Sequence, residues 1–352
     1  MPKKYTAKDY LKKTAKSTAK RAVKKKAKKV ARGNPAIAFL LFLVIVAAYL
    51  GVCVIDYNNI DVGFEFDLGK ANVLQLIMPK SDIEPLPVPA DGEAMYHFID
   101  VGQGDAILIT TPEGNILVDT SEKGAQNELD RYLKSAGVES IRYLVLTHPD
   151  ADHIGNATYI IENYAVKTVV MSEYANATTE TFEKMIDTIE ARQIGVLFLG
   201  VGDSFELGGV QNYVLAPAKD YDDSNENSLV IRSSFGESVV MLTGDAEHES
   251  ESDIVGGGNW NKATLKSDIL KVGHHGSNSS TTEEFLDAVS PQYAIISCGS
   301  ENKHGHPHDE TMDLLAEKGI TVYRTDLQGS IIFKTDGKTF TLVDTVKAES
   351  KN

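Results

Sequence analysis

The segment LTHPDADHIGN, residues 146–156, follows the short apolar run YLVLT and is the most informative stretch of the sequence. Four side chains that can bind a metal lie within six positions: His148, Asp150, Asp152 and His153. The apolar, β-branched run before them predicts a buried strand, and ATYIIENY after them is more typical of a helix. We therefore expect a strand-to-helix loop that gathers imidazoles and carboxylates at the end of a strand.

Alternating strand and helix patterns continue along most of the chain. NILVD and SVVMLTGD have the length and β-branched content of buried strands, whereas TTETFEKMIDTIEARQ has helical periodicity. Many short strands with interspersed helices over roughly 250 residues predict one α/β layered domain. We assign this domain to residues 93–346 and expect a short disordered tail at 347–352.

The N-terminal segment differs in charge from the rest of the chain. Residues 1–33 contain fourteen Lys or Arg and a single acid, whereas the remainder holds 21 basic and 49 acidic residues, a net charge of −28. Between these parts lies AIAFLLFLVIVAAYLGVCVI, residues 36–55, without any charge. A helix of this length rises about 30 Å and spans the hydrocarbon core of a bilayer. The sequence therefore predicts one transmembrane helix ahead of the α/β domain.

A cleaved signal peptide is the competing interpretation of this segment. Its charged region would be unusually long, and no convincing small-residue cleavage site follows. We therefore expect an uncleaved anchor in the cell membrane, with the basic tail in the cytoplasm, because positive charge stays inside. The acidic domain would then be extracellular, on a linker of residues 56–92 that ends in the extended motif EPLPVPADGE. The tail is expected to contact anionic lipids, with nucleic-acid binding as the alternative.

The nine histidines all follow the apolar segment, and seven of them fall in three short loops. These loops read THPDADH, GHHGS and KHGHPH, and each follows a run typical of a strand. Two further strands end in a carboxylate, at Asp119 in NILVD and at Asp245 in VVMLTGD. An uncompensated carboxylate at a buried strand end is costly, so a cation or hydrogen-bond donors must compensate it.

A mixed set of imidazoles and carboxylates suits Zn²⁺, Mn²⁺ or Fe. The spacing His-x-Asp-x-Asp-His allows two adjacent metals, which Asp245 could bridge. Two metals activate a water molecule and stabilise an in-line displacement at phosphorus. The alternative is a set of loops held by carboxylate–imidazole hydrogen bonds without a metal, and the number of loops argues against it. We expect one or two divalent metals, zinc or manganese.

Taken in order, these motifs resemble the metallo-β-lactamase superfamily. HPDADH, preceded by ILVDT and followed by LTGD and GHHGS, is similar to its usual His-x-His-x-Asp-His signature, with Asp150 in place of the second histidine. FIDVGQGDAILI, NSLVI and HGHPH extend the resemblance to the C-terminal hydrolase domain of ComEC-type competence proteins and their stand-alone anchored relatives. The resemblance implies a four-layer αββα sandwich with metals at one edge. The sequence contains one apolar span and not the several of the ComEC channel domain, so we do not expect DNA transport.

The resemblance also implies a ligand set. The implied metal ligands are His148, Asp150, Asp152, His153, Asp245 and His274. His148 and Asp150 would hold one metal. Asp152, His153 and His274 would hold the other, and Asp245 would bridge the two metals. Asp152 and Asp245 would also act in catalysis, and Asp119 would orient the loop from behind the metals.

One histidine of the family's pattern is missing. The superfamily usually has a histidine between its second motif and the bridging aspartate, but none lies between 153 and 248, where Asn227 and Ser228 stand instead. We place both near the metals, without direct ligation. The site is then either oxygen-rich and suited to Mn²⁺ or able to bind one metal tightly.

Four residues lie outside this ligand set: His275, Ser277, His306 and His308. The three histidines are expected either to grip phosphate and protonate the leaving group, or to form local hydrogen bonds and begin the helix after Pro307. Ser277 is expected near the site. His97 and His248 are expected to be structural. Residues 102–105 are expected to form a tight turn near the site, with a structural rather than a catalytic role.

These features favour a metal-dependent phosphodiesterase, a nuclease acting on extracellular DNA. The net charge of −28 on the residues that follow the basic tail opposes this hypothesis, because it repels a polyanion. A hydrolase of a smaller phospho-ester, or of another ester or amide, is the second hypothesis. A non-catalytic, membrane-tethered binding module is the third, and cleavage of β-lactams is the least favoured. The sequence leaves the oligomeric state open.

Overall fold

The structure, a computed structural model, describes residues 4–5, 85–257 and 262–346. All of them belong to one compact unit of the chain. The predicted transmembrane segment at 36–55, most of the basic tail and residues 347–352 lie outside the described residues. Within the part that is described, no helix has both the length and the apolar character needed to cross a membrane.

Nine strands form the first sheet. Numbered along the whole chain, they are β1 (Lys4–Tyr5), β2 (Ala94–Phe98), β3 (Ile107–Thr111), β4 (Gly114–Val118), β6 (Tyr143–Leu146), β8 (Thr168–Ser172), β9 (Gly195–Leu199), β17 (Ser330–Thr335) and β18 (Phe340–Val346). Their spatial order is β1-β9-β8-β6-β4-β3-β2-β17-β18. Strands β4, β6, β8 and β9 are parallel neighbours, which requires crossover connections between them.

Seven strands form the second sheet, in chain order. They are β10 (Ser204–Leu207), β11 (Val210–Ala216), β12 (Val230–Phe235), β13 (Ser238–Leu242), β14 (Ile269–Lys271), β15 (Tyr293–Ile296) and β16 (Thr321–Arg324). Strands β13 to β16 are parallel. Two short strands, β5 (Ser140–Ile141) and β7 (Ala165–Val166), pair separately.

Helices cover the outer faces of both sheets. They are α1 (Gln126–Ser135), α2 (Ala151–Ile154), α3 (Ala157–Asn163), α4 (Glu180–Ala191), α5 (His248–Gly256), α6 (Lys262–Leu265), α7 (Glu283–Val289), α8 (Asp309–Glu317) and α9 (Thr325–Gln328). Helix α4 shows how the local sequence sets these elements. It begins after Thr179, whose Oγ1 accepts a hydrogen bond from the N–H of Phe182, and it buries Met185 and Ile189 at helical spacing.

Three apolar clusters separate the layers. Phe98 and Val118 of the first sheet pack against Ile231 and Leu242 of the second. A second cluster joins the first sheet to α1, α3 and α4, and a third joins the second sheet to α5, α7 and α8. The layers therefore run helix, sheet, sheet, helix, and the predicted α/β architecture is confirmed.

A short piece of the N-terminal tail pairs with the edge of the first sheet. Lys4 lies opposite Leu197 and Tyr5 opposite Val196, antiparallel to β9.

Candidate metal centre

The predicted site residues follow the carboxyl ends of parallel strands in both sheets. In the first sheet, Asp119 follows β4 and the HPDADH loop follows β6. In the second sheet, Asp245 follows β13 and the GHHGS turn follows β14. Neighbouring parallel strands end at the same sheet edge, so these loops meet at one edge of the sandwich.

Four residues form what we call the central cluster: Asp152, His153, Asp245 and His275. Each offers one ligand atom within 4.8 Å of those of the others. Asp245 lies in the middle, with Oδ1 3.2 Å from His153 Nε2 and Oδ2 3.4 Å from His275 Nε2. His275 Nε2 is also 3.4 Å from Asp152 Oδ2. Three of the four side chains are buried, and Asp152 is 31% exposed, which leaves one side open to solvent.

Hydrogen bonds to Nδ1 of His153 and of His275 leave Nε2 of each ring facing the central cluster. His153 Nδ1 lies 2.8 Å from Asp119 Oδ2, and His275 Nδ1 lies 3.0 Å from the carbonyl oxygen of Ser297. Both partners only accept, so each Nδ1 carries a proton and each Nε2 is left with its lone pair. This outer hydrogen bond is the arrangement that fixes metal-binding histidines in proteins.

His148 is held by the same network. The N–H and the hydroxyl of Thr147 both donate to Asp119, at 2.8 and 2.7 Å. With its proton used in this way, Thr147 Oγ1 can only accept from His148 Nδ1, 3.2 Å away. Nε2 of His148 is therefore free, and it lies 4.0 Å from Asp245 Oδ2.

The atoms at the centre fit a cation. Among the described residues, Nε2 of His148, His153 and His275 and Oδ1 of Asp245 are buried without a hydrogen-bond partner. A lone pair that faces a carboxylate oxygen at 3.2 Å needs a proton or a metal ion between the two atoms. Nitrogen and carboxylate oxygen together are the donor set of zinc and manganese sites.

The electrostatics of the central cluster lead to the same conclusion. Burial opposes the protonation of His153 and His275, but the Asp245 carboxylate outweighs it, so the pKa of both rings lies well above its usual value. Burial raises the pKa of Asp245, and the two rings outweigh that effect and hold it well below its usual value. Burial and the neighbouring His153 lower the pKa of His148 to about 4. The site thus takes up positive charge, which a divalent metal would supply in place of protons.

The GHHGS turn places its two histidines differently from the arrangement that the resemblance implied. His275 lies in the central cluster, whereas His274 is at the rim, with Nδ1 2.7 Å from Glu247 Oε1 and Nε2 3.8 Å from Asp245 Oδ2. Both residues have positive φ angles, 44° and 55°, in a tight turn that sends consecutive side chains in different directions. The structure therefore brings His275 into the central cluster and places His274 beside the opening.

Asp150, Ser228 and Asn227 were predicted at or near the first metal, and the structure gives each of them different contacts. Asp150 directly precedes α2, which carries Asp152 and His153; it is half-buried, and its Oδ1 accepts from Ser224 Oγ at 3.0 Å. Ser228 Oγ lies 3.2 Å from His148 Nδ1 and accepts from the N–H of Asp245 at 3.1 Å. Asn227 instead holds its own loop through the backbone of Tyr221, at 3.0 and 2.8 Å.

The loop that contains HGHPH brings one of its histidines to the site. His306 is buried, its ring centre is 5.4 Å from that of His274, and its Nδ1 has no hydrogen-bond partner within the described part of the chain. His308 precedes α8, accepts from the N–H of Asn278 at Nδ1 and lies 3.2 Å from the carbonyl oxygen of His304 at Nε2. His308 thus fits the predicted helix start, and His306 fits a role in the site.

Ser277 belongs to the loop rather than to the central cluster. Its Oγ lies 2.8 Å from Ser279 Oγ and accepts from the N–H of that residue at 3.2 Å. Ser279 in turn donates to Glu247 at 2.7 Å. Ser277 therefore contributes to the site by shaping the loop around His274.

Two buried glutamates brace the loops of the second sheet. Glu226 accepts from three backbone N–H groups at the start of α5, at 2.8 to 3.2 Å. Glu251 accepts from the N–H groups of Thr281 and Thr282, immediately before α7. Burial raises the pKa of Glu251 to about 7. These contacts hold the segments that follow Asp245 and the GHHGS turn.

No role in the site was predicted for three residues that contact it. Asp105, predicted in a structural turn near the site, is buried beside His275, and Lys271 is buried beside Asp105. Glu247 holds His274. One signal was present in the sequence, because a lysine at the end of the apolar strand ILK needs an acidic partner when it is buried. His97 is a core residue, 3.0 Å from the hydroxyl of Tyr132, as expected.

Comparisons with known proteins agree with this geometry. The family model described as the metallo-beta-lactamase superfamily matches residues 99–300. ComE operon protein 3 of Bacillus subtilis (strain 168) is 33% identical over 261 residues, covering 69% of this chain and 33% of that protein. Competence protein ComA of Neisseria gonorrhoeae is 34% identical over 254 residues, covering 71% of this chain and 33% of that protein. The chain thus spans about a third of the length of these relatives.

A solved structure with a similar fold is the metallo-beta-lactamase fold protein YhfI from Bacillus subtilis, with a TM-score of 0.48 and 10% identity, covering 69% of this chain and 100% of that one. The family model alone covers more than half of this chain. Proteins with this fold bind one or two divalent metals, and the central cluster provides candidate ligands. The chain therefore belongs to the metallo-β-lactamase superfamily, as a metal-dependent hydrolase related to ComEC-type competence proteins.

Proposed function

We propose that this hydrolase is a phosphodiesterase that cleaves DNA outside the cell membrane. The observation that carries the proposal is the convergence of three buried imidazole lone pairs on Asp245, at an edge where Asp152 is open to solvent. A divalent metal held by these donors would place positive charge where a phosphate group can reach it. The competence proteins among its relatives support DNA as the substrate.

The chain's own residues divide the work between holding the metal and orienting the substrate. The central cluster would hold a first zinc or manganese ion, and His148 and Asp150 would share Asp245 with a second. Such an ion supplies an activated water molecule and polarises a phosphoryl oxygen. Asp119 and Thr147 would orient the ligand nitrogens, because they engage Nδ1 on the opposite side of each ring and leave Nε2 facing the metal.

The rim residues would contact the phosphodiester. Burial and the neighbouring imidazoles lower the pKa of His306 to about 4, so its ring is neutral at pH 7 and donates a hydrogen bond rather than a proton. Burial lowers the pKa of His274, but the Glu247 carboxylate outweighs it and the net shift is upward. We therefore assign the phosphate grip to His274 and His306, and assign to His308 the bracing of the loop.

The test is hydrolysis by the full chain, purified in detergent, stripped of metal and reloaded with Mn²⁺ or Zn²⁺. The substrates are single-stranded DNA, duplex DNA, a nitrophenyl phosphodiester, a nitrophenyl carboxylic ester and a β-lactam. We expect metal-dependent cleavage of DNA and of the phosphodiester, abolished by chelation and by Asp245→Ala. Hydrolysis of the carboxylic ester or the β-lactam without hydrolysis of either phosphodiester would overturn the proposal.

A small phospho-ester is the second candidate substrate, because the net charge of −28 on the residues after the basic tail repels a long polyanion. Salt separates the two candidates. Cleavage of a polyanion should depend strongly on salt concentration, whereas a small substrate should be turned over at a nearly constant rate.

We also propose that residues 36–55 anchor the chain, with the tail inside the cell in contact with anionic lipids and the hydrolase outside. The charge difference between the two parts of the chain supports this topology. Protease added to intact cells tests this topology. Degradation of the domain with survival of the tail supports the topology, and a domain protected until lysis overturns it.

A further inference from the structure

Lys271 places a positive charge in the space between the two sheets. Ile269, two positions earlier in β14, packs in the core between the sheets, and Leu270 packs against the helices, so Lys271 shares the inner face with Ile269. Its Nζ lies 2.9 Å from Asp105 Oδ2 and donates to the carbonyl oxygen of Val272 at 2.9 Å. Both charged side chains are buried. Replacing such a pair by apolar groups is often neutral or stabilising, so stability alone does not explain it.

Asp105 connects this ion pair to the loop that carries Asp152. Its N–H donates to the carbonyl oxygen of Asp152 at 3.2 Å, and its own carbonyl oxygen accepts from the N–H of Ser121 at 2.8 Å. Gly104 makes this approach feasible, since a Cβ at that position would overlap with the carbonyl oxygen of Asp152. The backbone of Asp105 therefore fixes the first-sheet half of the central cluster.

The side chain of Asp105 reaches the other half. Its Oδ1 is 3.5 Å from His275 Nδ1, the nitrogen on the far side of the ring from the central cluster. A ligand atom of Asp105 also lies within 4.8 Å of those of Asp119 and His153.

We propose that the Asp105–Lys271 pair is a positioning device of the metal centre. Its role is to hold the Asp152 loop of one sheet and the His275 turn of the other at the separation that a bound metal requires. Asp105 and Lys271 are thus positioning residues, which act on metal binding through His275 and Asp152. This inference rests on the proposed function only in requiring a metal at the central cluster.

If the pair acts on the metal through its charges, substitutions change metal binding in one way, and if it acts by positioning the ligands, they change it in another. Lys271→Met removes a cation near the site, so charge alone would tighten metal binding, whereas Asp105→Asn removes an anion and would weaken it. If the pair acts by position, both substitutions weaken binding. The double variant, whose net charge equals that of the wild type, then weakens it as well.

The experiment titrates the metal-free full chain in detergent with Co²⁺, whose visible absorption reports the number and geometry of its ligands. We expect the Kd to rise about 10–100-fold in each single variant and in the double variant, the usual effect of losing an outer partner of a metal ligand. The Co²⁺ spectrum should change in all three, because the ligands are no longer held in the same arrangement.

Leu270→Ala is the matched control. It lies on the same strand and is equally buried, but its side chain faces the helices, so it should lower the thermal midpoint and leave the Co²⁺ Kd and spectrum unchanged. Opposite shifts in the two single variants, or wild-type Kd and spectrum with only a lower midpoint, would overturn the inference. A wild type that binds no Co²⁺ overturns it too. A wild type that binds Co²⁺ but cleaves no phosphodiester overturns the proposed function alone.

Discussion

Asp119→Asn tests whether the tautomer of His153 is set from behind the metal centre. The carboxylate accepts three hydrogen bonds, two from Thr147 and one from His153 Nδ1. An asparagine keeps one oxygen, which the N–H of Thr147 takes, and turns its amide N–H groups toward His153. A donor facing Nδ1 favours the tautomer with the proton on Nε2, and that proton blocks the lone pair that a metal needs.

The magnitude follows from the loss of one buried, charge-assisted hydrogen bond. Such a bond contributes about 1.5–3 kcal/mol. At about 1.36 kcal/mol for each factor of ten, the metal Kd should rise roughly 10- to 150-fold. Substitutions of outer partners in known metal sites cost about 10–100-fold, in the same range.

The assay is isothermal titration of the metal-free full chain with Mn²⁺ or Zn²⁺. Asp130→Asn is the control, because that carboxylate also accepts from several donors, Lys134, Tyr159 and Tyr164, but lies on α1 outside the central cluster. We expect its Kd to stay close to that of the wild type. An Asp119→Asn variant with the Kd of the wild type would refute the reasoning, because it would show that the ring of His153 needs no partner behind it.

Three further predictions concern other parts of the site. Asp245→Ala should leave less than one metal per chain by elemental analysis, since that carboxylate contacts both cluster rings; wild-type content would contradict the ligand assignment. His306→Ala should keep its metal and lose roughly 10²–10³-fold in turnover, as expected for a hydrogen-bond donor to the developing charge, while His308→Ala should mainly lower the thermal midpoint. Equal rates for these two variants would remove His306 from the site. Burial raises the pKa of Glu251 to about 7 from 4.5, so its contribution to stability is present below pH 4.5 and is lost as the pH rises through 7. The free energy of unfolding of Glu251→Gln relative to the wild type, measured in chelator, should therefore rise by about 3 kcal/mol between pH 4.5 and 8, and a constant difference would contradict it.

Much of the fold and the residue types of the site could be predicted from local sequence. The apolar runs that became β4, β6, β13 and β14 each end in a carboxylate or lead into a histidine loop, and that order identifies the superfamily without coordinates. Asp119 contacts Nδ1 of His153, and Ser228 contacts Nδ1 of His148. The fold prediction depends on strand periodicity and on motif order, both of which are local properties of the chain.

The directions of individual side chains were not predictable in the same way. Which of His274 and His275 enters the central cluster depends on two positive φ angles and on partners as distant as Ser297. His306 and His308 are separated by one proline, yet one ring is buried beside the site and the other is engaged by backbone groups.

What the sequence determined by itself is therefore the kind of chemistry, because ligand types and their spacing are written in consecutive residues. What only the tertiary structure decided is the identity of the partners. Asp105 and Lys271 are 166 positions apart, and nothing in either neighbourhood marks the other. They meet because the two sheets pack face to face and bring the ends of β14 and of the loop before β3 together. The strength of a buried ion pair depends on the distance between its charged atoms and on the exclusion of water. Only the assembled sandwich provides both.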